Sequence, residues 1–187
     1  FTGLLTCNMI YTVAGTHSRL NDRFHITPMT LNGMSYMRDA TYSFDNGAGT
    51  DNLLWDHEAI QWIRSQDISG SPVVLEGQGE LYRTLHSRIS IYTGLPTVLG
   101  WDNHQSQQRG GRESITQRTR DIASIYSTNS AQQTMAILLK DDIHYIYVGE
   151  IERHYYPKDG LDKFKLMADI HLLELAYSNP GVDIYIV

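Results

Sequence analysis

The sequence predicts an α/β domain, three-layer-like, with a parallel or mixed sheet, flanking helices and a C-terminal antiparallel hairpin. Two patterns and one bound carry this. Short β-branched runs bounded by glycine, such as "GSPVVLEG" and "IHYIYVGE", alternate with stretches of helical periodicity such as "ITQRTRDIASIY". The final run, "HLLELAYSNPGVDIYIV", splits around Ser178-Asn179-Pro180-Gly181 into two β-rich halves. A chain of 187 residues, 41% hydrophobic and 19% charged, suits one ordinary core and is short for two.

Taken in order, residues 1–50 are rich in Thr, Asn, Gly and Met and only weakly periodic, and they read as an irregular lead-in. "HITPMTLNGMSYM" and "SFDNGAGTDN" carry turn chemistry but little regular signal. Residues 51–187 read as a single α/β domain. "DNLLWDHEAIQWIRSQ" has a cap at Asp51 or Asn52 and places Trp55, Ala59, Trp62 and Ile63 at helical spacing. "GSPVVLEG" is a buried strand and "TGLPTVLGW" a second. "ITQRTRDIASIY" sets Ile115, Ile122 and Ile125 near one helical face, and "SAQQTMAILLKDD" is the next helix, capped by Ser130. "IHYIYVGE" is a third strand, with Tyr145 and Tyr147 on one face and Glu150, Glu152, Arg153 and His154 in the loop beyond.

Several function classes are disfavoured. The net charge of −6, with 15 Lys and Arg spread along the chain, argues against a nucleic-acid surface. The single cysteine, Cys7, excludes an internal disulfide framework and a multi-cysteine zinc site. The eight histidines form no H-E-x-x-H or H-x-H array. "GQGE" is not a phosphate loop, and no G-x-S-x-G elbow is present. No cofactor and no metal is expected. No apolar run approaches the ~18–20 residues of a bilayer span. The chain starts at Phe1 without a signal-peptide pattern, so a membrane region is expected upstream.

In sheets of this type ligands favour the crevice beyond the carboxyl ends of the strands. "EGQGE", "GWDNHQ" and "GEIER" all fall there. In the second, Asp102 and His104 suit metal binding or a general-base pair, Trp101 a substrate platform, and Arg109 or Arg112 an anion clamp. The competing reading makes Asp102-Asn103 a cap on a helix starting near His104 and Trp101 a core or rim aromatic. In the first, Glu76 ends a strand in a glycine-flanked loop, as a ligand group or as a partner of Arg88 or Arg120. "RTRDIASIY" supplies Arg118, Arg120 and Asp121, which suit a solvated helix face or an organiser of the polar loops. The candidate ligand-binding set is therefore Glu76, Arg88, Trp101, Asp102, His104, Arg109 and Arg120.

Those residues lie in an ordered series of segments. "TLNGMSYM", "AIQWIR", "SPVVLEGQG", "SRISIYTGLPTVLGWDNHQSQQR", "RTRDIASIY", "HYIYVGEIERHYY", "GLDKF" and "NPGVDIYIV" follow one another from about Thr30. The series resembles the C-terminal, non-membrane part of the Chlor_Arch_YYY family, polytopic membrane proteins of Chloroflexi and archaea thought to be glycosyltransferase-like. "GWDNH" is also similar in position to the Trp-Trp-Asp motif in the soluble domain of oligosaccharyltransferase catalytic subunits, which helps recognise the acceptor. The resemblance implies an extracytoplasmic domain at the cell membrane that positions an acceptor or a lipid-linked sugar donor. It implies that catalytic carboxylates lie in membrane loops, so that the domain alone is inactive and its partner is the membrane region of the same polypeptide. It also implies that "FTGLLTCNMIYTVAGTHSRLNDRF" leaves the last membrane helix, with Arg19 and Arg23 near the headgroups. Two other classes compete: a structural or assembly module without a ligand site, and a metal-dependent hydrolase using Glu76, His86, Asp102 and His104.

Overall fold

The computed structural model describes residues 2–23, 30–44, 49–79, 85–108 and 110–187. The expected α/β class is observed. Helix α1 (Thr2–Ile10) continues through a π-helical turn (Tyr11–Gly15) into α2 (Thr16–Arg23). A 3-10 turn (Ser35–Arg38) precedes the antiparallel pair β1 (Thr41–Phe44) and β2 (Gly49–Asn52). Then follow α3 (Leu54–Ser65), β3 (Val73–Leu75), α4 (Arg88–Thr93), α5 (Asp102–Gln108), α6 (Arg112–Ser127) and α7 (Ala131–Lys140). The chain closes with β4 (Ile143–Val148), α8 (Glu150–Tyr155), α9 (Lys158–Asp169), β5 (Glu174–Ser178) and β6 (Asp183–Ile186).

Four strands form a mixed sheet in the order β3-β4-β6-β5, with β3 and β4 parallel and both other pairs antiparallel. Strand alternation divides the core into two layers, because successive side chains point to opposite faces. Leu75, Ile146, Val148 and Tyr185 face Ile122, Ile125, Leu138 and Phe164 of α6, α7 and α9. Val74, Tyr147 and Ile184 face Ala59, Ile60, Ile63 and Ile89 of α3 and α4, together with Met34 and Met37. The result is helix layer, sheet, helix layer. Ser130 caps α7 as expected, its Oγ accepting from the Gln133 N–H at 3.2 Å.

Local differences from the sequence reading have physical causes. The expected irregular lead-in of residues 1–50 contains the α1–α2 helix and β1, whose antiparallel partner β2 crosses the expected boundary to Asn52; Met34 and Met37 lock the 3-10 turn into the core. "TGLPTVLGW" is not a strand. It begins as the last turn of α4, which Gly94 ends at φ 80°, and its pairing is a single parallel bridge from Thr97 to Val74. Pro96 interrupts a ladder there because it has no N–H to give, although its carbonyl accepts from Val74 N at 2.8 Å. Glu150, Glu152, Arg153 and His154 belong to α8 rather than to a loop.

Candidate functional site

The three loops singled out from sequence do meet at the carboxyl ends of β3 and β4. Gln78 Nε2 donates to the Leu99 carbonyl at 2.9 Å, joining "EGQGE" to "GWDNHQ". Gly77 N donates to Glu152 Oε1 at 2.9 Å, joining the first loop to α8.

Behind these loops lies a buried charge cluster. Arg88 is fully buried, its Nε on Asp56 Oδ1 at 2.6 Å and its Nη2 on Glu152 Oε2 at 2.9 Å. The guanidinium lies over the Tyr147 ring, 4.8 Å from the centroid, while Tyr147 donates its hydroxyl proton to Asp56 at 2.6 Å. Glu152 also accepts from Gly149 N at 2.9 Å. A side chain at position 149 would collide with Arg88 and Tyr147, so glycine lets the backbone pass beside the guanidinium. Glu76 does not pair with Arg88 or Arg120. Its carboxylate accepts from Ile89 N at 2.9 Å and Ser90 N at 3.0 Å, satisfying the open N–H groups at the start of α4.

Four buried carboxyl groups, Asp51, Asp56, Glu76 and Glu152, thus surround one buried cation. Burial pushes Glu76 up to about 7, against the pull of Arg88 and two N–H donors. Burial and the neighbouring Asp56 raise Asp51 to about 7. Arg88 and backbone N–H groups outweigh burial at Glu152 and hold it below its usual value. Burial lowers His86 to about 4.

These shifts set the sign of a pH dependence. A raised carboxyl contributes stability below its unfolded pKa and loses it as pH rises through the folded value, here about 7 for Glu76 and Asp51. His86 acts oppositely, but its contribution is complete above its unfolded value of 6.5. The protein is therefore expected to lose about 1–2 kcal/mol of stability between roughly pH 6.5 and 8, read as a fall in Tm of about 3–6 °C. Asp51→Asn should flatten that slope. A Tm that rises over this interval would contradict the protonated state of both carboxyls.

In front of the cluster is an open cleft of about 430 Å³ lined by Ser87, Ile91, Gly100, Trp101, His104, Gln105 and Gln108. Trp101 is 44% exposed, and the His104 ring tilts against it with centroids 5.6 Å apart. Ser87 sits at φ 69°, a left-handed conformation unusual for a non-glycine residue. It is only 7% exposed, and its Oγ has no hydrogen-bond partner among the described residues. His86 beside it is also buried, with both ring nitrogens unpartnered among the described residues and its ring filling the space a side chain at Gly79 would need.

The predicted residues therefore divide. Trp101 and His104 line the cleft. Asp102 is half-buried as the first residue of α5, and its Oδ1 accepts from the adjacent Asn103 N at 2.6 Å; the helix thus starts two residues before His104, and this contact is not the N2 or N3 bond of a cap. Arg88 and Glu76 are buried behind it and tie elements together. Arg120 is exposed on α6, and Arg109 lies outside the described residues. Arg118 donates from Nη1 to the Val98 carbonyl at 3.0 Å and lines a separate pocket with Val73, Asp141 and Asp142 at the amino ends of β3 and β4.

Sequence reasoning missed Asp56, Glu152, Ser87, Gln105 and Gln108 as members of these groups. Two signals were legible. Asp56 shares the spacing of Ala59, Ile60 and Ile63, which places it on the buried face of α3. Glu152 stands three residues after Gly149, the offset from which a Glu side chain reaches back to the N–H that precedes a helix. Among the described residues, no group of three or more His, Cys, Asp or Glu is placed to hold a metal ion.

No family model matches the chain, and no curated protein matches it. The chain is similar to a solved structure, the C-terminal globular domain of oligosaccharyltransferase from Archaeoglobus fulgidus. The identity is 13% and the TM-score 0.45, with 70% of this chain and 95% of that chain covered. A likeness of that size carries no conclusion about fold or activity, so the reading of this chain rests on its own geometry.

Proposed function

We propose that this chain is the extracytoplasmic, non-membrane domain of a glycosyltransferase-like polytopic membrane protein of the Chlor_Arch_YYY type. In this reading it positions an acceptor or a lipid-linked sugar donor at the loops beyond β3 and β4, and it is not catalytic alone. The observation that carries the membrane part is the helix Thr2–Gly15. Leu4, Leu5, Met9, Ile10, Tyr11 and Val13 are all exposed, and α1 buries no residue. At 100° per residue these side chains point all round the axis. A helix docking on a protein shows an apolar stripe, whereas one apolar on every side belongs in an apolar phase.

Polarity then changes along the axis instead of around it, since α2 reads "THSRLNDR". That order suits a helix leaving hydrocarbon for headgroups, with Arg19 and Arg23 in the polar part. The apolar portion, residues 2–14, is about 20 Å long against about 30 Å of hydrocarbon. Accordingly, no described helix is long and apolar enough to cross a membrane. The segment would form the emerging end of a span.

The test is flotation of the 187-residue chain with vesicles of mixed neutral and anionic phospholipid. The chain should float with the vesicles, and the triple substitution Leu4→Asp, Met9→Asp, Val13→Asp should leave it behind without altering the unfolding transition. A chain that stays behind, or a triple variant that still floats, would remove the membrane reading.

A second reading, an assembly module, is favoured by the outer edge of β5, which pairs with no strand among the described residues. Leu172 and Leu175 are exposed and line a groove of about 620 Å³ beside that strand. An open edge with exposed apolar residues is where another chain can pair.

A further inference from the structure

We propose that the cleft between Ser87 and Trp101 is a binding site for a neutral, hydroxyl-rich ring, the chemistry of a single sugar unit. This deepens the recognition reading above and rests on it for the source of the ligand. The volume, about 430 Å³, falls within the 300–1,000 Å³ typical of small-molecule sites. One wall is aromatic: Trp101 is nearly half exposed and braced by His104, so a flat apolar face is offered to a ligand instead of being spent on the core.

The opposite requirement, hydrogen bonds, is met by Ser87, Gln105 and Gln108. Ser87 points to a ligand most directly. A hydroxyl buried to 7% exposure without a partner among the described residues leaves a hydrogen bond unmade, and a ligand hydroxyl would complete it. Amide side chains both donate and accept, which matches hydroxyls that do the same. Gln105 lines the cleft beside Gly100, its Nε2 3.1 Å from where a Cβ at Gly100 would stand.

Charge separates this ligand class from its rivals. Among the described residues the lining contains no Lys, Arg, Asp or Glu. A phosphate or carboxylate site would be expected to present a guanidinium or ammonium group. Arg118 is directed at the Val98 carbonyl, and Arg88 is saturated by Asp56 and Glu152. Asp102 does not line the cleft, and its Oδ1 accepts from Asn103 N. The ligand contacts therefore fall to Ser87, Trp101, His104, Gln105 and Gln108, with Ile91 as an apolar edge.

Saturation-transfer NMR on the intact chain decides the matter. The probes are methyl glucoside, methyl galactoside, methyl mannoside and N-acetylglucosamine, with glucose 1-phosphate and a short Ser/Thr-containing peptide as competitors. At least one neutral sugar should receive saturation on its ring protons. Trp101→Ala should weaken that binding about tenfold and Ser87→Ala by a smaller factor, with the unfolding transition of Trp101→Ala unchanged. Trp101→Phe, which keeps an aromatic face, should restore part of the signal. No neutral sugar bound, binding indifferent to Trp101→Ala, or binding of the phosphate or peptide alone would overturn the inference. Vesicle flotation separates the two failures: a chain that floats but ignores sugars refutes the cleft, whereas one that binds sugar without floating refutes the membrane reading.

Discussion

Arg88→Met is expected to destabilise the protein by about 3–5 kcal/mol, enough to leave it largely unfolded if total stability sits in the lower part of the usual ~5–15 kcal/mol range. The guanidinium is fully buried and bonds carboxylates from two other elements, Asp56 on α3 and Glu152 on α8. Methionine fills similar volume, so lost packing is a minor effect. The large effect is two carboxylates left in the interior with no cation, each forced to take up a proton or remain charged at high cost.

Arg88→Lys should fall between the two. It keeps the charge, but an ammonium on a flexible stem cannot hold Asp56 and Glu152 together as the planar fork does. Combining Arg88→Met with Asp56→Asn and Glu152→Gln should recover part of the loss, because the neutral amides no longer require a counter-charge. Urea unfolding of the series is the measurement. An Arg88→Met midpoint equal to wild type would mean the cluster contributes nothing to stability.

Gly160→Ala is expected to lower Tm by about 4–8 °C, corresponding to about 2 kcal/mol for a chain of this size. The sign runs against helix propensity, since alanine inside a helix normally gains up to about 1 kcal/mol over glycine. Here the opposing effect is backbone against backbone. A Cβ at 160 would fall on the Tyr126 carbonyl oxygen and come within 2.9 Å of Ser127 Cα, so no side chain can rotate aside. Lys163 fixes the same contact by donating to the Ile125 carbonyl and, at 2.6 Å, to the Gly160 carbonyl. Moving α9 outward would also loosen Phe164 and Met167, both buried against the sheet. Differential scanning calorimetry checks this, and a higher Tm for Gly160→Ala would show that α6 and α9 are not in backbone contact.

The site was legible only in outline. The convergence of "EGQGE", "GWDNHQ" and "GEIER" followed from the general placement of loops at strand ends, and the Gln78–Leu99 and Gly77–Glu152 bonds realise it. The division of labour was not legible. Glu76, Arg88 and Asp102 are the residue types that bind ligands, yet these three are engaged by backbone N–H groups or by each other's neighbours. Ser87 carried no sequence signal at all, because an unpartnered hydroxyl is a property of its surroundings.

By itself the sequence determined the α/β class, the helices around Ile60 and Ile122, the strands at Val74 and Ile146 and the closing hairpin. Each depends on local periodicity and turn chemistry, which neighbouring residues settle among themselves. Only the tertiary structure decided that Arg88, Asp56 and Glu152 form one buried cluster and that Trp101 borders a cleft. These are contacts between residues 32 to 64 positions apart or more. Their protonation and exposure are set by burial, and burial is a property of the packed chain as a whole.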